Sequence, residues 1–248
     1  MNRRYYTPAP VTGAAVIADP FATVSAYTMP YSSYQTTFTP PSMPSACKAS
    51  GLNLKKNVFT LEPGRYCGGI TVMANATVTF NPGVYYIDNG QLNFQSGAKI
   101  TGNDVLFYRN GISSGFSIVG SGNGGYVRLK GRTSGPDDLK GFVLIAHPNA
   151  WRGLTSNVQG GTELNVEGLI YAPTQHIEIT GGSVVNSTSN FFSIVAKSFQ
   201  FQGNGQFNLK SWTSASNMPN RSPLKSTTTS SEVSTSTTTQ AIGKVQLN

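Results

Sequence analysis

Residue types able to carry chemistry are few in this 248-residue chain, and they are widely scattered. Cys47 and Cys67 are its two cysteines, and its two histidines, His147 and His176, lie at least eighty residues further on. A metal site needs several such ligands close together, so none is expected, and no cofactor motif is present either. The two cysteines are instead expected to pair. A disulfide between them would close a loop of about twenty residues and add about 3 kcal/mol by restricting the unfolded chain. It also requires an oxidising compartment, which points to export from the cytoplasm.

The acidic residues offer one weak alternative site. Glu163, Glu167 and Glu178, with His176 nearby, could converge if stacked turns of chain brought them together. Glycoside hydrolysis needs two carboxylates about 5 to 10 Å apart across the scissile bond, and sequence spacing does not supply that. Glu163 alternates with Leu164 and Val166, and Glu178 with Ile177 and Ile179, the pattern of outward, solvated positions on strands. Asp137-Asp138 follows Gly135-Pro136 and reads as turn chemistry. Gly120 to Gly125 is glycine-rich, but no helix pattern with Lys-Ser/Thr follows to cradle a phosphate. No Gly-x-Ser-x-Gly elbow marks a nucleophile and no Asp-rich loop marks calcium. Trp151-Arg152 and Tyr85-Tyr86 could stack on sugars, although such residues more often pack in a core or at its rim. No catalytic residue is assigned.

The elements that must position these residues are announced by a repeat. Thr60-Leu61-Glu62-Pro63-Gly64-Arg65-Tyr66 recurs nineteen residues later as Thr79-Phe80-Asn81-Pro82-Gly83-Val84-Tyr85. A period near twenty in a strand-rich chain marks a solenoid. Gly64 and Gly83 are the expected turn glycines, and valine at either should cost more than the ~1 kcal/mol of a generic glycine replacement. Short alternating strands follow, and then apolar runs begin at Phe142, Leu169 and Phe192. Runs apolar on both faces need cover on both faces. The expected fold is all-β, a parallel β-helix of about seven coils, favoured over an immunoglobulin-like sandwich by the near-constant spacing.

Composition supports this and limits function. Charged residues make up 11% of the chain, which suits strands and turns better than helices. The net charge of +8 reflects 18 Lys and Arg against 10 Asp and Glu, without a dense basic block. No specific nucleic-acid site is expected, although an anionic surface polymer is a conceivable partner. Residues 1–46 read as an extended Pro/Tyr-rich arm whose aromatics pack along the solenoid or a neighbouring chain. Residues 47–210 form the solenoid, 211–240 a Ser/Thr-rich flexible segment, and 241–248 a docking strand. No membrane span or clear secretion signal is visible, so an export element is expected on a longer precursor.

The chain resembles the C-terminal exported domain of TadG-like proteins of the bacterial Tad/Flp pilus-assembly system. The resemblance rests on Asp19-Pro20-Phe21 with Cys47 downstream, on Leu61 to Ile70 with its Pro-Gly-x-Tyr-Cys-Gly-Gly core, and on Thr79 to Ile87. It continues through Val105 to Tyr108, Thr133 to Pro136, Gly168 to Pro173 and Val245-Gln246-Leu247. It implies a non-enzymatic envelope or surface component, in the periplasm or at the cell surface, with protein partners in pilus or envelope assembly. The family's N-terminal hydrophobic helix is not seen in this chain. The leading expectation is therefore a structural or adhesive solenoid, and the alternative is a polysaccharide-binding or polysaccharide-degrading β-helix.

Overall fold

Each strand pairs with the strand one turn earlier, because alternating apolar side chains can be buried only if successive turns stack. A computed structural model describes residues 19, 21, 38–111, 115–119, 124–147, 155–160, 164–181 and 191–202. Thirteen strands follow in order: β1 (Cys47–Leu54), β2 (Val58–Leu61), β3 (Gly64–Val72), β4 (Thr77–Phe80), β5 (Gly83–Phe94), β6 (Lys99–Gly102) and β7 (Val105–Asn110). Then come β8 (Phe116–Val119), β9 (Tyr126–Lys130), β10 (Phe142–Ala146), β11 (Thr155–Gly160), β12 (Leu164–Gly181) and β13 (Phe192–Gln202). Every pairing between them is parallel, and together they form a β-solenoid.

The pairings sort into three ladders, one per face. The first face stacks β2, β4, β6, β9 and the start of β12. The second stacks the starts of β1, β3 and β5, then β7, β10, the middle of β12 and the start of β13. The third stacks the ends of β1, β3 and β5, then β8, β11 and the ends of β12 and β13. The second and third faces each carry seven levels, and so about six full turns. Strand β12 bends through all three faces in one run.

Corners between faces need backbone that turns sharply. Positive φ angles gather there: Lys56, Asn75, Gly97 and Gly124 lie before the first face, and Gly64, Gly83, Asp104, Gly141 and Gly168 before the second. Gly64 and Gly83, the expected turn glycines, have nearly the same φ, 147° and 146°. A β-carbon on Gly83 would lie 2.5 Å from Cβ of Pro63 on the turn below, so only glycine fits that corner.

The nineteen-residue repeat is in register on the first face, where Thr60 pairs with Thr79. On the second face Gly64 pairs with Tyr85, twenty-one residues on, so the repeat units slip by two positions as the chain rounds the corner. The apolar runs stack on one another: Phe142 lies opposite Leu169, as their spacing suggests, whereas Phe192 lies opposite Gly168 and Leu169 opposite Ser193, one residue out of step.

One core fills the solenoid interior, with Ile70, Val78, Phe80, Tyr85, Ile87, Phe94 and Phe107 among its fully buried members. A second apolar cluster lies outside the second face, where Tyr86, Leu106, Tyr108, Phe142, Ile145, Leu169 and Tyr171 point away from the interior. The arm supplies their cover. Phe21 and Phe38 pack against Phe142 and Tyr171 at ring separations of 5.1 to 5.5 Å. The Tyr171 hydroxyl donates to Asp19 at 2.8 Å, and the Thr39 amide donates to Asp138 at 2.8 Å. The arm then descends the face past Asn110, beside Met43, to Arg65, which donates to the Ser45 carbonyl at 2.6 Å. Residues 211–240 and the docking strand expected at 241–248 lie outside the described residues.

Cys47 and Cys67 form a disulfide with a Cα separation of 5.7 Å, inside the usual span. Cys47 opens β1, the first level. The bond therefore joins the first two levels of the second face. Beside it the buried Asp88 carboxylate receives Arg65 Nη2 at 2.6 Å and Asn110 Nδ2 at 3.0 Å.

Candidate interaction surface

With the second face under the arm, the first and third faces are the walls that no described residue covers. Their composition follows from strand alternation: each inward apolar residue leaves its neighbour outward. On the third face the outward positions form one continuous column: Asn53, Thr71, Asn93, Ser117, Asn157, Glu178 and Gln200. Six of these seven are uncharged amides or hydroxyls, so the wall is polar but nearly neutral. Beside the column His176 meets the Ser198 hydroxyl at 2.7 Å and Gln200 Oε1 at 3.4 Å.

The first face differs. Its central column runs Thr60, Thr79, Thr101, Arg128 and Asn165, and the hydroxyls of Thr79 and Thr101 are 3.3 Å apart. The adjacent column runs Val58, Thr77, Lys99 and Tyr126. The Arg128 guanidinium lies over the Tyr126 ring at 4.2 Å. Among the described residues this face and its leading corner carry Lys55, Lys56, Lys99, Arg128 and Lys130.

Two of the acidic candidates, Glu167 and Glu178, lie on different faces. Glu167 ends the first-face part of β12 and sits 3.9 Å from the exposed Lys130 on the turn below, a long, partly solvated pair worth little. Glu178 lies on the third face, in register with Asn157 and Gln200. Two corners, at Gly168 and between Ala172 and His176, separate the two glutamates onto different walls. Glu163 lies outside the described residues. Among the described residues no group of three or more His, Cys, Asp and Glu side chains is placed to hold a metal ion, and no helix is long and apolar enough to cross a membrane.

The most perturbed ionisable groups lie in or against the apolar clusters, and two of them, Tyr66 and Tyr85, tie the turns of the repeat. The Tyr66 hydroxyl donates to the Glu62 carbonyl at 2.6 Å, and Tyr85 makes the equivalent bond to Asn81 at 2.7 Å while sharing its proton with the Leu61 carbonyl. In each copy of the repeat the tyrosine thus ties down the residue before the proline. Burial, assisted by Glu62, pushes the Tyr66 phenol up to about 12. Burial, reinforced by Tyr86, does the same to Tyr108, to about 12. Arg109 points into the interior and burial lowers it to about 10.

Sequence reasoning missed Asp104, which carries no motif. Its backbone takes φ 58° at a corner, and its Oδ1 receives the amides of Thr133 at 2.6 Å and Ser134 at 3.0 Å. Burial opposes its charge, but the Ser134 hydroxyl, those two amides and Arg132 outweigh it and hold the carboxyl below its ordinary value. Asp104 thereby anchors the excursion that carries Asp138 to the arm.

A parallel β-solenoid with one face covered by its own arm and two polar faces open among the described residues is the class that fold and surface define. No family model, curated protein or solved structure matches the chain.

Proposed function

We propose that this chain is a non-enzymatic, exported structural or adhesive component of the bacterial envelope, acting in surface attachment alongside Tad/Flp-type pilus assembly. The observation that carries the reading is the unbroken polar column from Asn53 to Gln200, a flat wall seven levels tall. Such a wall suits an extended partner better than a small substrate, which is held in a concave pocket. The separation of Glu167 from Glu178 supports a binding role over hydrolysis. The Cys47–Cys67 bond supports an oxidising destination, and the Pro-Gly-x-Tyr-Cys-Gly-Gly resemblance supplies the pilus context.

The test combines fractionation with attachment. The protein is expected in the periplasmic or surface fraction, and its deletion should reduce retention of cells on a solid surface. The wild-type gene should restore retention, and Asn93→Lys/Asn157→Lys should not. Recovery in the cytoplasm with two titratable thiols, or full attachment without the gene, would overturn the reading.

A further inference from the structure

We propose that the first face binds a linear carboxylated polysaccharide laid parallel to the solenoid axis; this rests on the reading that the solenoid presents walls to extended partners. Exposed cations recur along that direction. Lys55 and Lys56 flank the first level, Lys99 lies on the third, and Arg128 and Lys130 lie on the fourth. Strands stack at about 4.8 Å, so these charges span roughly 15 Å of the axis. Between them run the hydroxyls of Thr60, Thr79 and Thr101, which can both donate and accept.

That pairing of groups selects the ligand. Cations at the first, third and fourth levels attract carboxylates, with Arg128 able to bind one through two parallel hydrogen bonds. The threonine column suits sugar hydroxyls. Among the described residues the carboxylates on this side are already engaged: Glu62 accepts from Asn81 at 2.6 Å, and Glu167 faces Lys130. A single-stranded nucleic acid would want successive aromatic platforms, and the described part of this face offers Tyr126 alone, with Arg128 over its ring. Duplex DNA would want a protruding helix or ribbon to enter its groove, whereas this wall is a flat ladder. A lipid or protein surface would want apolar area, and Val58 at the rim is the face's one exposed large apolar side chain among the described residues.

The experiment measures binding of the full chain to immobilised polygalacturonate at about 0.1 M salt, where charges within roughly 10 Å still interact. Wild type should bind, and Lys99→Gln/Arg128→Gln should weaken binding at least tenfold. Lys48→Gln/Lys197→Gln removes the same charge from elsewhere and should change it less than twofold. Thermal melting checks that each variant is folded, and Thr79→Val, which alters no charge, should weaken binding several-fold. Equal losses in the two double variants would overturn the proposal, as would equal binding to neutral galactan. So would tighter binding of polyphosphate or DNA with the same dependence on Lys99 and Arg128. A chain that reaches the surface and supports attachment yet ignores polygalacturonate would overturn this ligand alone; a chain retained in the cytoplasm would overturn the parent reading alone.

Discussion

Gly64 and Gly83 occupy equivalent places in the repeat with φ angles one degree apart, yet alanine should be far worse at one than at the other. Both substitutions force an L-residue into a backbone region that favours glycine, a strain of about 1 to 3 kcal/mol. They differ in what the new methyl meets. At Gly64 the nearest atom is Cδ of Lys48 at 3.0 Å, the far part of a flexible, exposed side chain that can swing away. At Gly83 the nearest atoms are Cβ and Cγ of Pro63 at 2.5 and 2.6 Å, in a rigid ring fixed at the corner below. Relieving that overlap means moving backbone, which adds about 1 to 3 kcal/mol of overpacking. Gly83→Ala should therefore be about 2 kcal/mol less stable than Gly64→Ala, equivalent to roughly 4 to 8 °C in melting temperature for a chain of this size. Urea unfolding followed by circular dichroism and by tyrosine fluorescence measures both variants, with agreement between the probes confirming one transition. Equal midpoints, or a greater loss at Gly64, would refute stacking of Pro63 on Gly83 as the reason for glycine.

Three further outcomes follow from particular contacts. Replacing Cys47 and Cys67 by serine should cost about 3 kcal/mol, and thiol titration of the denatured, unreduced wild type should find no reactive thiol. Asp104→Asn, which keeps a residue type tolerant of positive φ, should lower stability at neutral pH. Because the folded carboxyl is held below its unfolded value of 3.8, wild type keeps this contribution above that pH and loses it as pH falls further, so the urea midpoints of wild type and variant should converge in acid. Tyr66→Phe should cost about 1 kcal/mol through the lost bond to Glu62. With the folded phenol at about 12 against 10.0 unfolded, Tyr66 stabilises fully below pH 10 and loses that effect as pH rises to about 12. The phenolate absorbance gained up to pH 11 should hardly differ between wild type and the phenylalanine variant.

Much of this architecture was legible in the chain because its causes are local. Alternation in Thr77-Val78-Thr79-Phe80 sets which side chains turn inward, a Pro-Gly pair sets where the strand bends, and a period near twenty requires that the bends stack. Two isolated cysteines without other metal ligands sufficed to anticipate the disulfide. Register between turns was not legible, because excursions of different length separate the strands. Tyr86 meets Tyr108 after twenty-two residues, but Tyr108 meets Ile145 only after thirty-seven. Each excursion is tied down by contacts such as Thr133 to Asp104, which no periodicity announces.

The sequence by itself determined the solenoid, its stapled start and its turn glycines, since each depends on side-chain period and backbone stereochemistry within a few residues. Only the tertiary structure decided which face the arm covers. Phe21 and Phe38 cover the second wall through contacts more than a hundred residues away, and Glu167 and Glu178 part onto different walls because the backbone turns at Gly168 and again between Ala172 and His176. Those outcomes rest on stacking across turns, where a two-residue slip in register changes every neighbour along the axis while leaving the alternation of each strand intact.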